Sequence, residues 1–81
     1  MNNEKPYFQL KKIGELMYPV VNRKHGRLKI DECPYCGEEL EHSPQSGHRY
    51  SHCTDSHHPL REIVINETLI PKTRGYVIVE Y

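Results

Sequence analysis

Three cysteines and a nearby histidine have the spacing of metal ligands. Cys33 and Cys36 frame the segment Cys-Pro-Tyr-Cys-Gly, and His48 and Cys53 belong to the later segment Gly-His-Arg-Tyr-Ser-His-Cys. Two thiols at this spacing bind one metal ion from a single turn, and a histidine and a cysteine from a second segment complete a tetrahedron. The sequence therefore predicts a structural Zn2+ site with the ligands Cys33, Cys36, His48 and Cys53.

The histidine of this site is chosen by spacing, and alternatives stay open. His48 follows a glycine and precedes Cys53 in a Gly-His-x4-Cys pattern. His57 is the main alternative, because Cys53 and His57 form a Cys-x3-His pattern that could be the second knuckle of a zinc ribbon. His52 and His42 also lie within reach. Four protein ligands close a zinc site, whereas a catalytic zinc keeps an open position, so we expect no catalytic residue and no enzyme.

The first cysteine pair has the features of a zinc knuckle, in which backbone N–H groups point at the sulfurs. Gly37 follows Cys36 and removes a Cβ clash, and N–H donors lower the thiol pKa as metal binding requires. The second segment resembles the second half of the CCHC zinc knuckle of retroviral type, including the glycine before His48. Here a longer insertion separates Cys36 from His48 than in that knuckle.

A set of residues between positions 33 and 77 consists of Cys33 to Gly37, His42, Gly47-His48-Arg49, His52-Cys53 and Gly75-Tyr76-Val77. In these residues the chain resembles a group of short, largely uncharacterised proteins of phages and bacteria. That group often has a further histidine where this chain has Leu40, so any role of that histidine is absent here. The resemblance covers about half of the chain and implies a metal site.

The Cys-Pro-Tyr-Cys segment also resembles the dithiol of glutaredoxins, where the motif opens a helix that lowers the pKa of the first thiol. Here Gly37, an acidic run and the turn-forming residues 43–47 follow, which argues against a sustained helix. A third cysteine at ligand spacing favours metal. A thiol redox protein is the least favoured alternative.

The composition indicates one small β-rich domain, residues 1–81. The chain is 36% hydrophobic and has neither Trp nor Ala, while Tyr, Val and Ile are frequent. A chain of this length usually needs a further stabilising element, such as a structural metal ion, besides its hydrophobic core. No apolar run is long enough to span a bilayer, and the first residues lack the apolar stretch of a signal peptide. We therefore expect a cytoplasmic protein without a membrane partner.

Apolar and polar residues alternate in two regions that predict hairpins on either side of the zinc segment. In the N-terminal hairpin region, residues 1–30, strand 16–21 pairs with strand 27–30 across a basic tip, and Pro19 places its strand at an edge or bulge. Residues 31–58 form the zinc-binding segment. In the C-terminal hairpin, residues 60–81, strands 63–65 and 75–81 flank a turn at 71–74. The fold class is a small β-rich zinc-binding domain of two antiparallel hairpins with an inserted zinc-knuckle or ribbon-like loop.

Charge is segregated although the net charge is zero. Residues 1–30 are basic and residues 31–41 are acidic. This layout predicts a binding module, with single- or double-stranded nucleic acid as the partner. Tyr35 is a further candidate for base stacking. The alternative is a protein–protein adaptor or inhibitor of phage or bacterial origin that binds a host protein through a strand edge or the acidic loop 38–41. The predicted nucleic-acid-binding residues are Arg23, Lys24, Arg27, Arg49 and Tyr50.

Overall fold

The computed structural model describes residues 3–42, 47–51, 53 and 59–81, in which the chain forms eight short strands. The predicted fold class is confirmed, since two antiparallel hairpins, β1–β2 and β6–β7, flank the cysteine segment along the chain. One turn of 3-10 helix, Lys72–Arg74, is the helical segment of the described residues. The strands are β1 Gln9–Ile13, β2 Leu16–Arg23, β3 Lys29–Ile30, β4 Leu40–Glu41, β5 Gly47–Arg49, β6 Glu62–Ile65, β7 Thr68–Pro71 and β8 Tyr76–Glu80.

The largest sheet has four strands in the order β1-β2-β8-β5. Strand β8 is parallel to β2 and antiparallel to β5, so the C-terminal strand lies inside the sheet. Its first residues, Tyr76, Val77 and Ile78, are buried, as an interior strand requires. Because β5 leads toward Cys53, this sheet anchors the second cysteine segment.

The predicted pairing of the N-terminal hairpin is wrong. Strand β2 pairs with β1 across a two-residue turn in which Gly14 has φ 64°, a conformation that suits glycine. The chain does reverse after β2, with the Arg27 N–H donating to the Lys24 carbonyl at 3.0 Å. Strand β3 then pairs with β4. Pairing with β1 is favoured because its two-residue turn closes a shorter loop, at a lower cost in chain entropy, than the basic tip does.

Pro19 lies in an inner strand, so its predicted edge position is also wrong. It stands opposite Leu10 in the pairing with β1. The pairing of β2 with β8 begins one residue later, at Val20. Pro19 therefore precedes the residues of β2 that pair with β8, where its missing N–H would cost a hydrogen bond between the strands.

The C-terminal hairpin also differs from the predicted one. Strands β6 and β7 join through Asn66 and Glu67, whose φ values of 48° and 65° make a tight turn. Residues 71–74, the predicted turn, end β7 and form the 3-10 segment. Gly75, with φ 71°, then redirects the chain so that β8 enters the main sheet.

The hydrophobic core joins all three sheets to the cysteine turn. The Tyr35 hydroxyl donates to the Gly75 carbonyl at 2.7 Å, which ties the cysteine turn to the start of β8. The first cysteine segment is thus built into the core. The cluster consists of Phe8, Val21, Ile30, Cys33, Tyr35, Leu40, Ile63, Ile65, Ile70, Tyr76 and Ile78.

Within the described part of the chain, no helix has the length and apolar character needed to cross a membrane.

Candidate metal centre

The structure brings three of the predicted ligands together. The Sγ atoms of Cys33, Cys36 and Cys53 all lie within 4.8 Å of one another, and those of Cys33 and Cys53 are 3.2 Å apart. A tetrahedral zinc ion at 2.3 Å from each sulfur would separate them by about 3.8 Å. The three thiols therefore fit one metal ion. Cys33 is buried, and Cys36 and Cys53 are half-buried.

The backbone of the first cysteine pair has the geometry that the knuckle motif predicts. The Gly37 N–H donates to the Cys33 carbonyl at 2.8 Å, and the Cys33 N–H donates to the Glu38 carbonyl at 2.9 Å. Gly37 closes this turn with φ 79°. The N–H groups of Tyr35 and Cys36 point at the Cys33 sulfur. These N–H groups would stabilise a Cys33 thiolate once a cation binds.

Burial keeps the Cys33 and Cys36 thiols neutral when no cation is bound. It raises the pKa of Cys33, an effect that the Ser51 hydroxyl and the backbone N–H groups partly offset. Burial also raises the pKa of Cys36, to about 12, against the effect of the Glu38 N–H. A bound cation must then displace the thiol protons, so metal binding is coupled to proton release.

Ser51 is a site residue that the sequence analysis missed. Its Oγ lies 2.7 Å from the Cys53 sulfur and 3.4 Å from the Cys33 sulfur. It is close enough to the Tyr76 phenol to lower the pKa of that group, against the larger effect of burial, and the phenol shares a 2.6 Å hydrogen bond with Nε2 of His42. Polar groups thus extend from the thiols into the core. A serine beside a ligand is too common in sequences to have signalled this role.

The structure does not bring His48 to the thiols. His48 lies on β5 opposite Val77, and its Nε2–H donates to the Arg74 carbonyl at 2.8 Å. Neither it nor His42 belongs to the group of ligand atoms around Cys33. The alternatives His52 and His57 lie outside the described residues.

Two of the residues predicted to contact nucleic acid are buried. Arg23 is fully buried and forms an ion pair with Glu80 at 3.2 Å, so its predicted contact with phosphate is wrong. Arg23 lies on the same face of β2 as buried Val21, and strand pairing places it opposite Glu80. Tyr35 is 1% exposed and offers no stacking surface.

The remaining predicted contacts are accessible to different degrees. Lys24 and Arg27 are exposed, and Tyr50 is 66% exposed. Arg49 is half-buried, and its Nη1 donates to the His48 carbonyl at 2.7 Å. The accessible charge of the predicted tip is therefore smaller than the sequence indicates.

The glutaredoxin-like alternative lacks its helix. Cys36 and Gly37 lead into strand β4, and the 3-10 turn Lys72–Arg74 is remote in the chain. The first thiol therefore has no helix N-terminus to lower its pKa.

No protein-family model, curated protein or solved structure gives a significant match to this chain. The class is thus defined by the fold and the site alone. It is a small β-rich protein with three cysteines that could hold a metal ion. The motif-based resemblances remain predictions.

Proposed function

We propose that the cysteine cluster holds a structural Zn2+ ion and that the protein is a zinc-stabilised module that binds nucleic acid in the cytoplasm. The observation that carries this proposal is the convergence of Cys33, Cys36 and Cys53 within 4.8 Å. Thiolates are soft ligands and favour zinc over hard cations such as Mg2+. A reducing compartment keeps such thiols available for metal.

The structural role is supported by the position of the cluster. Cys33 belongs to the hydrophobic core, so a metal ion there would join the knuckle turn to the segment after β5. In a small domain, such a bond adds the stability that a limited core lacks. A histidine completes the site in this proposal. His52 and His57 are its candidates, while His48 would first have to give up the Arg74 carbonyl.

The nucleic-acid role is supported by exposed cations and one exposed aromatic ring. Lys24 and Arg27 are accessible at the turn after β2, and Tyr50 is accessible at the end of β5. Cations of this kind neutralise phosphates, and aromatic rings stack on unpaired bases. We propose binding, and no catalysis, as the activity of this surface.

Two measurements test the proposal. Elemental analysis of protein purified without chelator should show about one zinc per chain. Titration with labelled oligonucleotides should show binding that weakens steeply between about 50 and 200 mM salt. Metal-free protein with a Cys33–Cys36 disulfide would contradict the zinc site, and a lack of binding even at low salt would contradict the nucleic-acid role.

A protein-binding adaptor is the second candidate. Strand β1 is at one edge of the main sheet, and the hairpin that it forms exposes Ile13 and Leu16 by 45% and 46%. An added strand from a host protein could pair with such an edge. Recovery of one defined host protein in pull-downs, lost when Lys11 is replaced by Pro, would favour this candidate, since proline removes a ladder donor.

A further inference from the structure

Three rings meet on the surface beside β5. The imidazole of His48 makes edge contacts with Tyr18 and Tyr50, with ring centroids 5.0 and 4.9 Å apart. The Nε2 bond to the Arg74 carbonyl holds the imidazole in place. Tyr50 is 66% exposed, so it presents a large aromatic surface to solvent. The strands therefore hold these three rings together in a fixed cluster, which packing of the hydrophobic core does not explain.

Cations border this cluster. The Arg74 guanidinium lies 5.9 Å from the Tyr18 ring centroid and donates to the Met17 carbonyl at 2.8 Å. Arg61 and Lys72 line the adjoining cleft, next to Tyr50.

The two clefts of this surface have volumes of about 270 and 350 Å³ and share Tyr50 and Thr73. None of the described residues that line them is acidic. The surface thus combines stacking groups with the cationic side chains of Arg61, Lys72 and Arg74.

We propose that this surface, the aromatic–basic face, binds the bases and phosphates of a single-stranded nucleic acid. The inference rests on the proposed nucleic-acid function and deepens it by naming the substrate class and the contact surface. Unpaired bases offer their faces to aromatic side chains, whereas the bases of a duplex are stacked on one another. Arginine and lysine beside the rings neutralise the backbone. The face comprises Tyr18, His48, Tyr50, Arg61, Lys72 and Arg74.

The other clefts are less suited to this ligand. The cleft beside the turn after β2 is lined by His25 and Arg27 but also by Glu80, and none of the described residues that line it is Tyr or Phe. The cleft lined by Tyr7 and Phe8 includes Asp31 and Glu32, which would repel phosphates. The aromatic–basic face therefore explains single-strand binding better than the predicted basic tip.

The metal centre and the aromatic–basic face are neighbours in the chain. Tyr50 directly precedes Ser51, whose hydroxyl lies beside the Cys53 sulfur. A metal ion on the thiols would restrain this segment and so reduce the entropy lost when a base stacks on Tyr50. This gives the structural metal a role in the binding surface.

The test uses the full chain with its bound metal and fluorescently labelled oligo(dT) of about 12 nucleotides, within the site sizes of single-strand binding domains. A duplex of the same length is the second probe. The variant is Tyr50→Leu, and its matched control is Tyr81→Leu, because both tyrosines are 66% exposed and Tyr81 lies near the basic turn after β2. Thermal melts confirm that both variants fold.

We expect Tyr50→Leu to weaken oligo(dT) binding by roughly 5- to 150-fold, the loss typical of one stacked base. Tyr81→Leu should bind like the parent. The double variant Arg61→Glu with Lys72→Glu should weaken binding and flatten its dependence on salt. The parent should prefer oligo(dT) to the duplex.

Each failure has its own meaning. Binding that Tyr50→Leu leaves intact, or that is as strong for the duplex, overturns the aromatic–basic face and leaves the proposed nucleic-acid function standing. Weakening by Tyr81→Leu instead of Tyr50→Leu moves the surface to the turn after β2. A lack of binding to either probe at low salt overturns both the face and the proposed function.

Discussion

The Ser51 hydroxyl oxygen lies 2.7 Å from the Cys53 sulfur. Groups that hydrogen-bond to metal ligands orient them and tune their basicity, and their loss costs about 10- to 100-fold in metal affinity. We expect Ser51→Ala to lower zinc affinity by this factor, measured by competition with a chromophoric chelator. His25→Ala is the control, because His25 is 87% exposed and does not belong to the group of ligand atoms around the thiols. Equal affinities would show that the Ser51 contact does not act on the metal.

Removal of the metal should unfold the cysteine segment and loosen the core around it. Cys33 is packed among core side chains, and burial holds its thiol neutral, so the cation replaces protons there. A chelator should lower the thermal midpoint and change the circular dichroism spectrum, and Cys33→Ser should do the same without chelator. An unchanged melt after complete zinc removal would exclude a structural role.

Single histidine variants identify the fourth ligand. We expect His48→Ala to retain zinc, since its Nε2 bonds the Arg74 carbonyl and not the metal centre. Loss of zinc in His52→Ala or His57→Ala would then assign the ligand. Zinc loss in His48→Ala alone would restore the sequence-based ligand set.

We expect Arg23 to stabilise the fold and not to contribute to the surface charge that could bind phosphates. Its side chain is fully buried and pairs with Glu80 at 3.2 Å. Removing one partner of a buried pair costs about 3–5 kcal/mol, and the partial exposure of Glu80 favours the lower end. Arg23→Ala should therefore lower the free energy of unfolding in urea by about 3 kcal/mol. Lys24 is exposed, so Lys24→Ala should change the free energy of unfolding by no more than about 0.5 kcal/mol. Equal losses of stability in Arg23→Ala and Lys24→Ala would contradict a structural role of Arg23.

Gly75 is required by a close approach of two backbones. A Cβ at this position would collide with the Arg49 carbonyl, and its φ of 71° is unfavourable for other residues. Gly26, with φ 86° and open space around it, is a matched control for the conformational effect. Gly26→Ala should cost about 1–2 kcal/mol, and Gly75→Ala about 1–3 kcal/mol more. Similar urea midpoints for the two variants would show that β5 can move away.

Stability should decline at high pH because of Tyr76. Burial raises the pKa of its phenol above the ordinary value of 10.0. The folded state thus retains a proton that the unfolded state loses, so this contribution is complete below about pH 10 and declines above it. One group changes the free energy of unfolding by at most about 1.4 kcal/mol per pH unit.

The matching variant is Tyr76→Phe, followed by urea unfolding between neutral pH and the alkaline range. It should reduce the alkaline decline and lower stability at neutral pH by about 1 kcal/mol through the lost His42 hydrogen bond. A decline as steep in the variant as in the parent would assign the effect to other groups.

Sequence alone determined the features that depend on near neighbours. The turn from Cys33 to Glu38 is local, because two thiols, their N–H donors and a glycine of positive φ lie within six consecutive positions. The β-rich class also followed from composition and alternation. The meeting of Cys53 with this turn was predicted from ligand spacing, and the thiol cluster confirms it.

Tertiary structure decided which strands pair and which side chains face inward. Alternation marks a strand but not its partner, so the parallel pairing of β2 with β8 could not be deduced. That pairing sets Arg23 against Glu80 and buries it. The pairing of β5 with β8 likewise places His48 beside Arg74, away from the thiols, because register determines the face on which each side chain lies.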